Sequence, residues 1–424
     1  MHPARSSLLD LTPAADATAS CPGSSSGRLL RGWRKRALLT QEQLAERAGL
    51  NVRTVRRLEN GGPLQPRTSS ILLLAQALDL DGEERALLAA VAGGPPRAAI
   101  VPRQLPADVT ALVGRERELA ALEDHLGAGP VTAVCVEGMA GAGKTALAVH
   151  AAHRLAHRFP GGQLFVDLRG HAPGAAPVEP GEALARLLRA LGVPAAGVPE
   201  HLDDRAALYR SVLAERRVLV VLDDAADEHQ VLPLLPGGQD CRVVVTGRRR
   251  LSCLPDAATL PLGVLPQAAA AALFAQVAGP ERVAGAPAEE LSEVVARCGL
   301  LPLAVGVAAA RLRAHATWSV RHLLDRLAGD RLAELRAGRH DVAAALDLSY
   351  DRLPPELRRA YRLLGTGPGA DFGAGAAAEL LGTSVPRAER LLDQLLEVHL
   401  VQETAPGRYH LPGLLRDHAR GRAR

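Results

Sequence analysis

The chain has 424 residues, a net charge of only +4, 47% apolar and 2% aromatic residues, which fits roughly three soluble domains with cores of Leu, Val and Ala. Five cysteines (Cys21, Cys135, Cys241, Cys253, Cys298) without C-x-x-C spacing argue against a zinc site or a disulfide framework; Cys135 and Cys298, in apolar runs, read as small core residues. No apolar run nears the ~18 residues of a membrane span and the N-terminus lacks a signal-peptide apolar region, so a cytoplasmic protein with no membrane partner is expected.

Residues 1–26, rich in Ser, Ala and Pro, have little to bury and read as disordered. A helical domain is expected over 27–94. Within it, residues 28–67 hold ten basic side chains (Arg28, Arg31, Arg34, Lys35, Arg36, Arg47, Arg53, Arg56, Arg57, Arg67) against Glu42, Glu46 and Glu59. That excess points to a polyanion partner or to a solvated face, and charge alone does not separate the two. Thr40 followed by Gln43 forms a capping box, after which Leu44, Ala45 and Ala48 share one apolar face. Gly49 can end that helix in the left-handed conformation. Asn51 can cap the next, whose Val55 and Leu58 point inward while Arg53, Thr54, Arg56 and Arg57 face out.

A helix, a glycine turn and a second helix of this length, in a basic bundle, can lay the second helix into the major groove of double-stranded DNA. Arginine there can pair bidentately with guanine or clamp phosphate. Gln41, Asn51, Arg53, Thr54, Arg56 and Arg57 are the candidate DNA-binding residues; Gln41 is placed for the backbone, and Arg34 and Arg36 read as phosphate contacts. The stretch resembles the Cro/lambda-repressor type of helix-turn-helix over about residues 28–92. A helical protein-interaction module of similar shape is the alternative.

Residues 95–110, rich in Gly and Pro, read as a linker. From 111 to 262, the β-branched runs VTAVCVEG, QLFVDL, RVLVVL and CRVVVT alternate with helical stretches, which predicts a parallel sheet with helices on both faces. The first run leads into Gly138-Met-Ala-Gly141-Ala-Gly143-Lys144-Thr145 and then a helix, a P-loop in its strand–loop–helix setting. Its glycines let N–H groups converge on phosphate, Lys144 can reach the β/γ-phosphates, and the Thr145 hydroxyl can ligate Mg²⁺. The chain has only one other lysine, Lys35, and the helix start that carries Lys144 is expected to be exposed when empty. RVLVVL ends in Asp223-Asp224, a Walker B arrangement in which Asp223 holds Mg²⁺ and Asp224 orients the attacking water; alternatively Asp224 only caps the following helix. Arg248, after the next strand, can meet the γ-phosphate, while Arg249 and Arg250 read as solvated.

Residues 263–339 read as a helical subdomain. Residues 340–424 read as several helices with a strand pair ending near His410, which fits a winged helix. No internal repeat of 20–50 residues is visible, so no propeller or solenoid sensor is expected.

Residues 106–424 resemble the NB-ARC module of the STAND class of signalling NTPases. Val113-Gly114-Arg115-Glu116 matches the segment that lies against adenine in that family. CGLLPLA (298–304) matches its Gly-Leu-Pro-Leu-Ala stretch, which places Pro302 on the nucleotide, and LSYDRLP (348–354) matches the opening of its winged helix. The pairing with a helix-turn-helix resembles regulators from actinomycetes. The resemblance implies an ATP/ADP-Mg²⁺ switch controlling transcription, with slow hydrolysis and self-assembly into a homo-oligomer left open. A defence or cell-death signalling ATPase with a protein-binding helix-turn-helix, and a non-hydrolysing scaffold, are the other readings. One departure stands out. The family's Met-His-Asp-like triplet, whose histidine senses the ADP β-phosphate, aligns with Leu411-Pro412-Gly413, which predicts loosely held ADP. His410, two residues before Pro412, shares its strand face.

Overall fold

The computed structural model describes residues 23–60, 68–81, 84, 88, 101–109, 112–127, 131–367 and 369–423, in two compact units that divide between Ile100 and Val101. The expected disorder falls chiefly on residues 1–22, and the first part of the expected linker on 95–100; both lie outside the described residues.

The described residues of the first unit include helices α1 (Gly23–Arg36), α2 (Gln41–Arg47), α3 (Val52–Glu59) and α4 (Thr68–Ala77). The Thr40 hydroxyl accepts from the Gln43 N–H (3.1 Å) and the Gln43 side chain accepts from the Thr40 N–H (2.9 Å), a complete capping box. Gly49 stands at φ +62° between α2 and α3, and the Asn51 carboxamide accepts from the Arg53 N–H at 2.9 Å. Leu30, Trp33, Leu44, Ala45, Val55, Leu74 and Leu78 form the core. All three local signals act as the sequence implies, because each is satisfied within a few residues.

The second unit begins with an extended stretch rather than a linker. Pro102 O accepts from Gln163 N (2.7 Å), Gln104 N donates to Gln163 O (2.9 Å), and Arg103 bridges Gln163 in parallel. Prolines suit such an edge because they lack the donor that a central strand must share. Helix α5 (Glu116–Gly127) follows, and then an alternation of strands and helices: β1 (Ala133–Glu137), α6 (Lys144–Leu155), β2 (Gly162–Asp167), α7 (Pro180–Ala190), α8 (Leu202–Leu213), β3 (Val218–Ala225), α9 (Glu228–Val231), β4 (Arg242–Gly247) and β5 (Ala257–Pro261). The five strands make one parallel sheet in the order β2-β3-β4-β1-β5. Along β3, Leu219 and Val221 join the core on one face and Val218, Val220 and Leu222 the core on the other. Burial on both faces explains the unbroken apolar runs. The fifth strand, AATLP, carries too little β-branched character to announce itself.

Helices α10 (Gln267–Ala278), α11 (Pro280–Val283), α12 (Ala288–Arg297), α13 (Pro302–Ala314), α14 (Val320–Ala328) and α15 (Arg331–Glu334) follow. A two-residue hairpin pair, β6 (Arg336–Ala337) and β7 (His340–Asp341), leads on to α16 (Val342–Tyr350) and α17 (Pro355–Thr366). Strand β8 (Asp371–Gly373), helices α18 (Ala374–Leu381) and α19 (Val385–Glu397), strands β9 (Gln402–Ala405) and β10 (Arg408–His410), and helix α20 (Gly413–Gly421) complete the chain. Strands β8, β10 and β9 form a small antiparallel sheet. Tyr361 in α17 closes this region by donating its hydroxyl to Leu415 O (2.8 Å).

Candidate functional site

The loop after β1 runs at the carboxyl edge of the sheet and turns into α6 through glycines that no other residue can replace. Gly138, Gly141 and Gly143 hold φ of +155°, +80° and +94°. A Cβ at Gly138 would meet Leu262 O at 2.3 Å, and one at Gly141 would meet the Leu303 Cβ at 2.9 Å. The backbone can therefore wind tightly, and the first-turn N–H groups of α6, which have no intrahelical acceptor, converge there.

Lys144 departs from expectation. It is only 9% exposed, and its ammonium donates to Gly138 O (2.8 Å) and Met139 O (2.9 Å) of its own loop. Burial, reinforced by the nearby Arg248 charge, lowers its pKa to about 7 against the attraction of Asp224 and Asp223. Lys144 itself is thus covered, while Thr145 beside it is exposed.

Across β4, the end of β3 supplies the acids. The ladder between β3 and β4 slips between Leu222 and Ala225, and Asp224 sits at φ +53°, so a bulge turns both carboxylates toward the loop. Asp223 accepts from the Thr145 hydroxyl (2.7 Å) and the Thr246 hydroxyl (2.6 Å). Burial keeps its pKa above the usual carboxylate range in spite of those two bonds. Thr246 also accepts from the Asp224 N–H at 2.9 Å. It was visible in CRVVVT as a hydroxyl in a fully buried strand.

Asp224 is not a helix cap: α9 is capped by Asp227, whose side chain accepts from the Gln230 N–H. Its carboxylate is instead taken up by His171, through the backbone N–H (2.6 Å) and Nδ1 (3.0 Å), with Arg248 Nε at 3.8 Å. Burial works against ionisation there, but the His171 bonds and the Arg248 charge outweigh it and hold the pKa low. His171 carried no sequence signal, since it lies in an irregular loop.

Arg248 reaches the acids but also donates to Ala345 O of α16 (2.7 Å). Arg249 and Arg250 are not merely solvated. Arg249 pairs with Glu397 (3.0 Å), and Arg250 lies 4.0 Å from Glu137 and donates its N–H to Glu397 O (2.8 Å). From the helical subdomain, Leu303 N donates to Gly141 O (3.2 Å), and the Pro302 ring lies 3.9 Å from where a Gly143 Cβ would be. Val113 and Gly114 are half-buried before α5, and a Cβ at Gly114 would strike Ala269. Arg115 is buried and spends its guanidinium on Glu118, Ala142 O (3.1 Å) and Gly263 O (2.6 Å). It therefore clamps the phosphate loop to the segment after β5.

The residues present fit a nucleotide with magnesium. The glycine loop holds positive-φ turns at Gly138, Gly141 and Gly143 that let its backbone N–H groups converge, and the Thr145–Asp223 pair is a hard-oxygen donor set.

In the first unit, Arg53, Arg56 and Arg57 are exposed on α3 and Thr54 is half-exposed, with Arg56 in an exposed pair with Glu42 (2.6 Å). Two readings change. Gln41 donates to Glu59 (2.7 Å), Arg34 grips Glu59 through Nε (2.5 Å) and Nη2 (3.0 Å), and Arg36 pairs with Glu84. Glu59 is only 4% exposed, so its charge must be neutralised from within. Arg34 and Gln41 are thereby engaged within the fold, while Arg36 stays exposed in its surface pair.

Residues 115–282 match the NB-ARC domain family and residues 27–88 match a helix-turn-helix domain family. The chain therefore joins a helix-turn-helix match to an NB-ARC match. It is 43% identical over 394 residues to Regulatory protein AfsR of Streptomyces coelicolor, spanning 91% of this chain and 39% of that protein. It is 39% identical over 452 residues to Regulatory protein AfsR of Streptomyces griseus, spanning 96% of this chain and 46% of that protein. The chain thus covers less than half the length of either relative. Among solved structures, a Walker-type ATPase of Pyrococcus abyssi shares the fold (TM-score 0.51, 12% identity, 76% of this chain and 98% of that one). No described helix is long and apolar enough to cross a membrane.

Proposed function

We propose that this chain is a DNA-binding transcriptional regulator whose NB-ARC domain binds ATP or ADP with Mg²⁺ and whose nucleotide state sets its affinity for DNA. The observation that carries the reading is the pairing, in one chain, of an outward arginine face on α3 with the Thr145–Asp223 contact beside a glycine phosphate loop. The loop N–H groups and Lys144 would hold the phosphates, which compete with Gly138 O and Met139 O for the ammonium. Thr145 and Asp223 would hold the metal, and Pro302 and Val113-Gly114 would border the nucleotide. Magnesium, when bound, neutralises charge on the phosphate oxygens. The C-terminal helices with the β8-β10-β9 sheet would serve as the winged-helix part of the switch.

Supporting slow rather than fast turnover, Asp224 is engaged by His171 and Arg248, which compete with a water for its carboxylate. That same engagement favours the second reading, a switch that exchanges nucleotide without hydrolysing it. The test of the main reading is selection from random duplex DNA with the protein held in ATP, in ADP or without nucleotide. An enriched sequence whose affinity falls steeply with salt and changes with nucleotide supports it. No enrichment in any state refutes it in favour of a protein-binding helix-turn-helix.

A further inference from the structure

The histidine expected from the resemblance is missing, and its neighbour does not stand in. His410 Nδ1 pairs with Asp371 at 2.9 Å on the small sheet, which leaves it committed away from the phosphate loop. A different histidine, which sequence spacing does not mark, stands in the turn after α19, and that turn is tied to the segment after β4.

His399 adopts φ +54°, a left-handed conformation that a non-glycine residue rarely holds without cause. The turn is stapled to the segment after β4 by the Arg250 N–H to Glu397 O bond (2.8 Å) and by the Arg249–Glu397 ion pair (3.0 Å). That segment is the one that carries Arg248 to the acids. The imidazole Nε2 is buried and has no hydrogen-bond partner. Its surroundings are cationic: burial, then the charges of Lys144 and Arg250, push the His399 pKa down to about 4. The left-handed turn is the cap of α19, with His399 N–H donating to Leu396 O (3.1 Å) and Leu400 N–H to Leu395 O (3.0 Å), and it leaves a neutral imidazole with an idle nitrogen near two cations, able to meet an anion with acceptor oxygens. A buried polar atom left unpaired is costly and calls for a partner.

We infer that His399 donates a hydrogen bond to a phosphate oxygen of the bound nucleoside diphosphate, and so ties the turn after α19 to the nucleotide in place of the absent triplet histidine. This rests on the reading of the loop as a nucleotide site. It replaces the expectation that ADP is held loosely: the latch is present, delivered from another turn of the chain.

The test is release of a fluorescent ADP analogue from the full chain, wild type against His399→Ala, His399→Gln and the control His410→Ala. His399→Ala should release it about tenfold faster, the effect of one hydrogen bond to a charged group. His399→Gln, which keeps an N–H donor, should recover part of that, and His410→Ala should behave as wild type. As a readout independent of kinetics, the ring resonances of His399 in histidine-labelled protein should move on adding ADP. If wild type binds the analogue and His399→Ala releases it at the wild-type rate with unmoved ring signals, the inference fails and the nucleotide site stands. If wild type does not bind ADP, the nucleotide site fails and takes the inference with it. Should His399→Ala unfold, His399→Gln together with the ring signals decides alone.

Discussion

Removing the Glu59 carboxylate should unfold the helix-turn-helix unit while leaving the NB-ARC domain intact. Glu59 is buried on α3 and is the acceptor for Arg34 from α1 and Gln41 from α2, with Arg31 at 3.5 Å. It therefore joins three helices at one point. In Glu59→Ala the Arg34 guanidinium, whose side chain is 12% exposed, keeps only its bond to Leu39 O (2.8 Å). Breaking one side of a buried pair costs about 3–5 kcal/mol. A unit of roughly sixty residues has about 3–9 kcal/mol in all, so most of its stability should go. Glu59→Gln keeps the shape and one acceptor and should cost less, about 1.5–3 kcal/mol. The Glu59 pKa is lowered in the folded protein: burial raises it, but the bonds from Arg34 and Gln41 prevail. Its contribution is thus present above the unfolded glutamate value of about 4.3 and lost as pH falls through the lower folded value. The gap between wild type and Glu59→Gln should accordingly narrow below about pH 4. Hydrogen exchange of the full chain, read over α1–α3, measures this directly. Unchanged protection in Glu59→Ala would refute the reasoning. So would an Arg34→Ala protein that stays fully stable and merely loses DNA affinity, since Arg34 would then be the phosphate contact that charge alone implies.

Replacing Arg53 or Arg56 should leave melting unchanged, cost ~1–3 kcal/mol of duplex binding and relax specificity at one base position; titrations against a panel of single-base operator variants check this. Lys144→Ala should lose most ADP and ATP affinity by calorimetry, and because the lysine is buried against its loop it should also lower the melting temperature. Asp223→Asn should weaken nucleotide binding only when Mg²⁺ is supplied, so equal affinities with and without the metal would contradict its assignment. Asp224→Asn should spare ADP affinity and abolish phosphate release; turnover equal to wild type would remove Asp224 from the chemistry.

The parts that could be read from the sequence are those whose physics is local. The capping box at Thr40, the turn at Gly49, the Asn51 cap and the strand–glycine loop–helix around Lys144 are each complete within a dozen residues, and each stands where expected. What could not be read depends on which helices meet. Glu59 looks like a lone solvated acid until α1 brings Arg34 to it, and Gln41, placed well for DNA by its helix, is drawn inward by the same carboxylate. Composition misled over 101–109, because a Pro-rich stretch serves equally as a linker or as an edge beside β2. His171 and His399 sit in irregular turns, where no periodicity marks a side chain as facing a site.

The same distinction bears on how a switch can work here. Three consecutive arginines after β4 look like one exposed basic run, yet each is tied into the structure. Arg248 joins the acids to Ala345 of α16, Arg249 holds Glu397 at the end of α19, and Arg250 holds the Glu397 carbonyl beside Glu137 of β1. The segment is thus a mechanical junction: phosphate charge that draws Arg248 away from Asp224 must also pull on α16. A ligand shifts an equilibrium only by its different affinity for the two states. On the proposed reading, Arg248 and the turn bearing His399 would link nucleotide charge to the C-terminal helices, and the difference between nucleotide states would be expressed there.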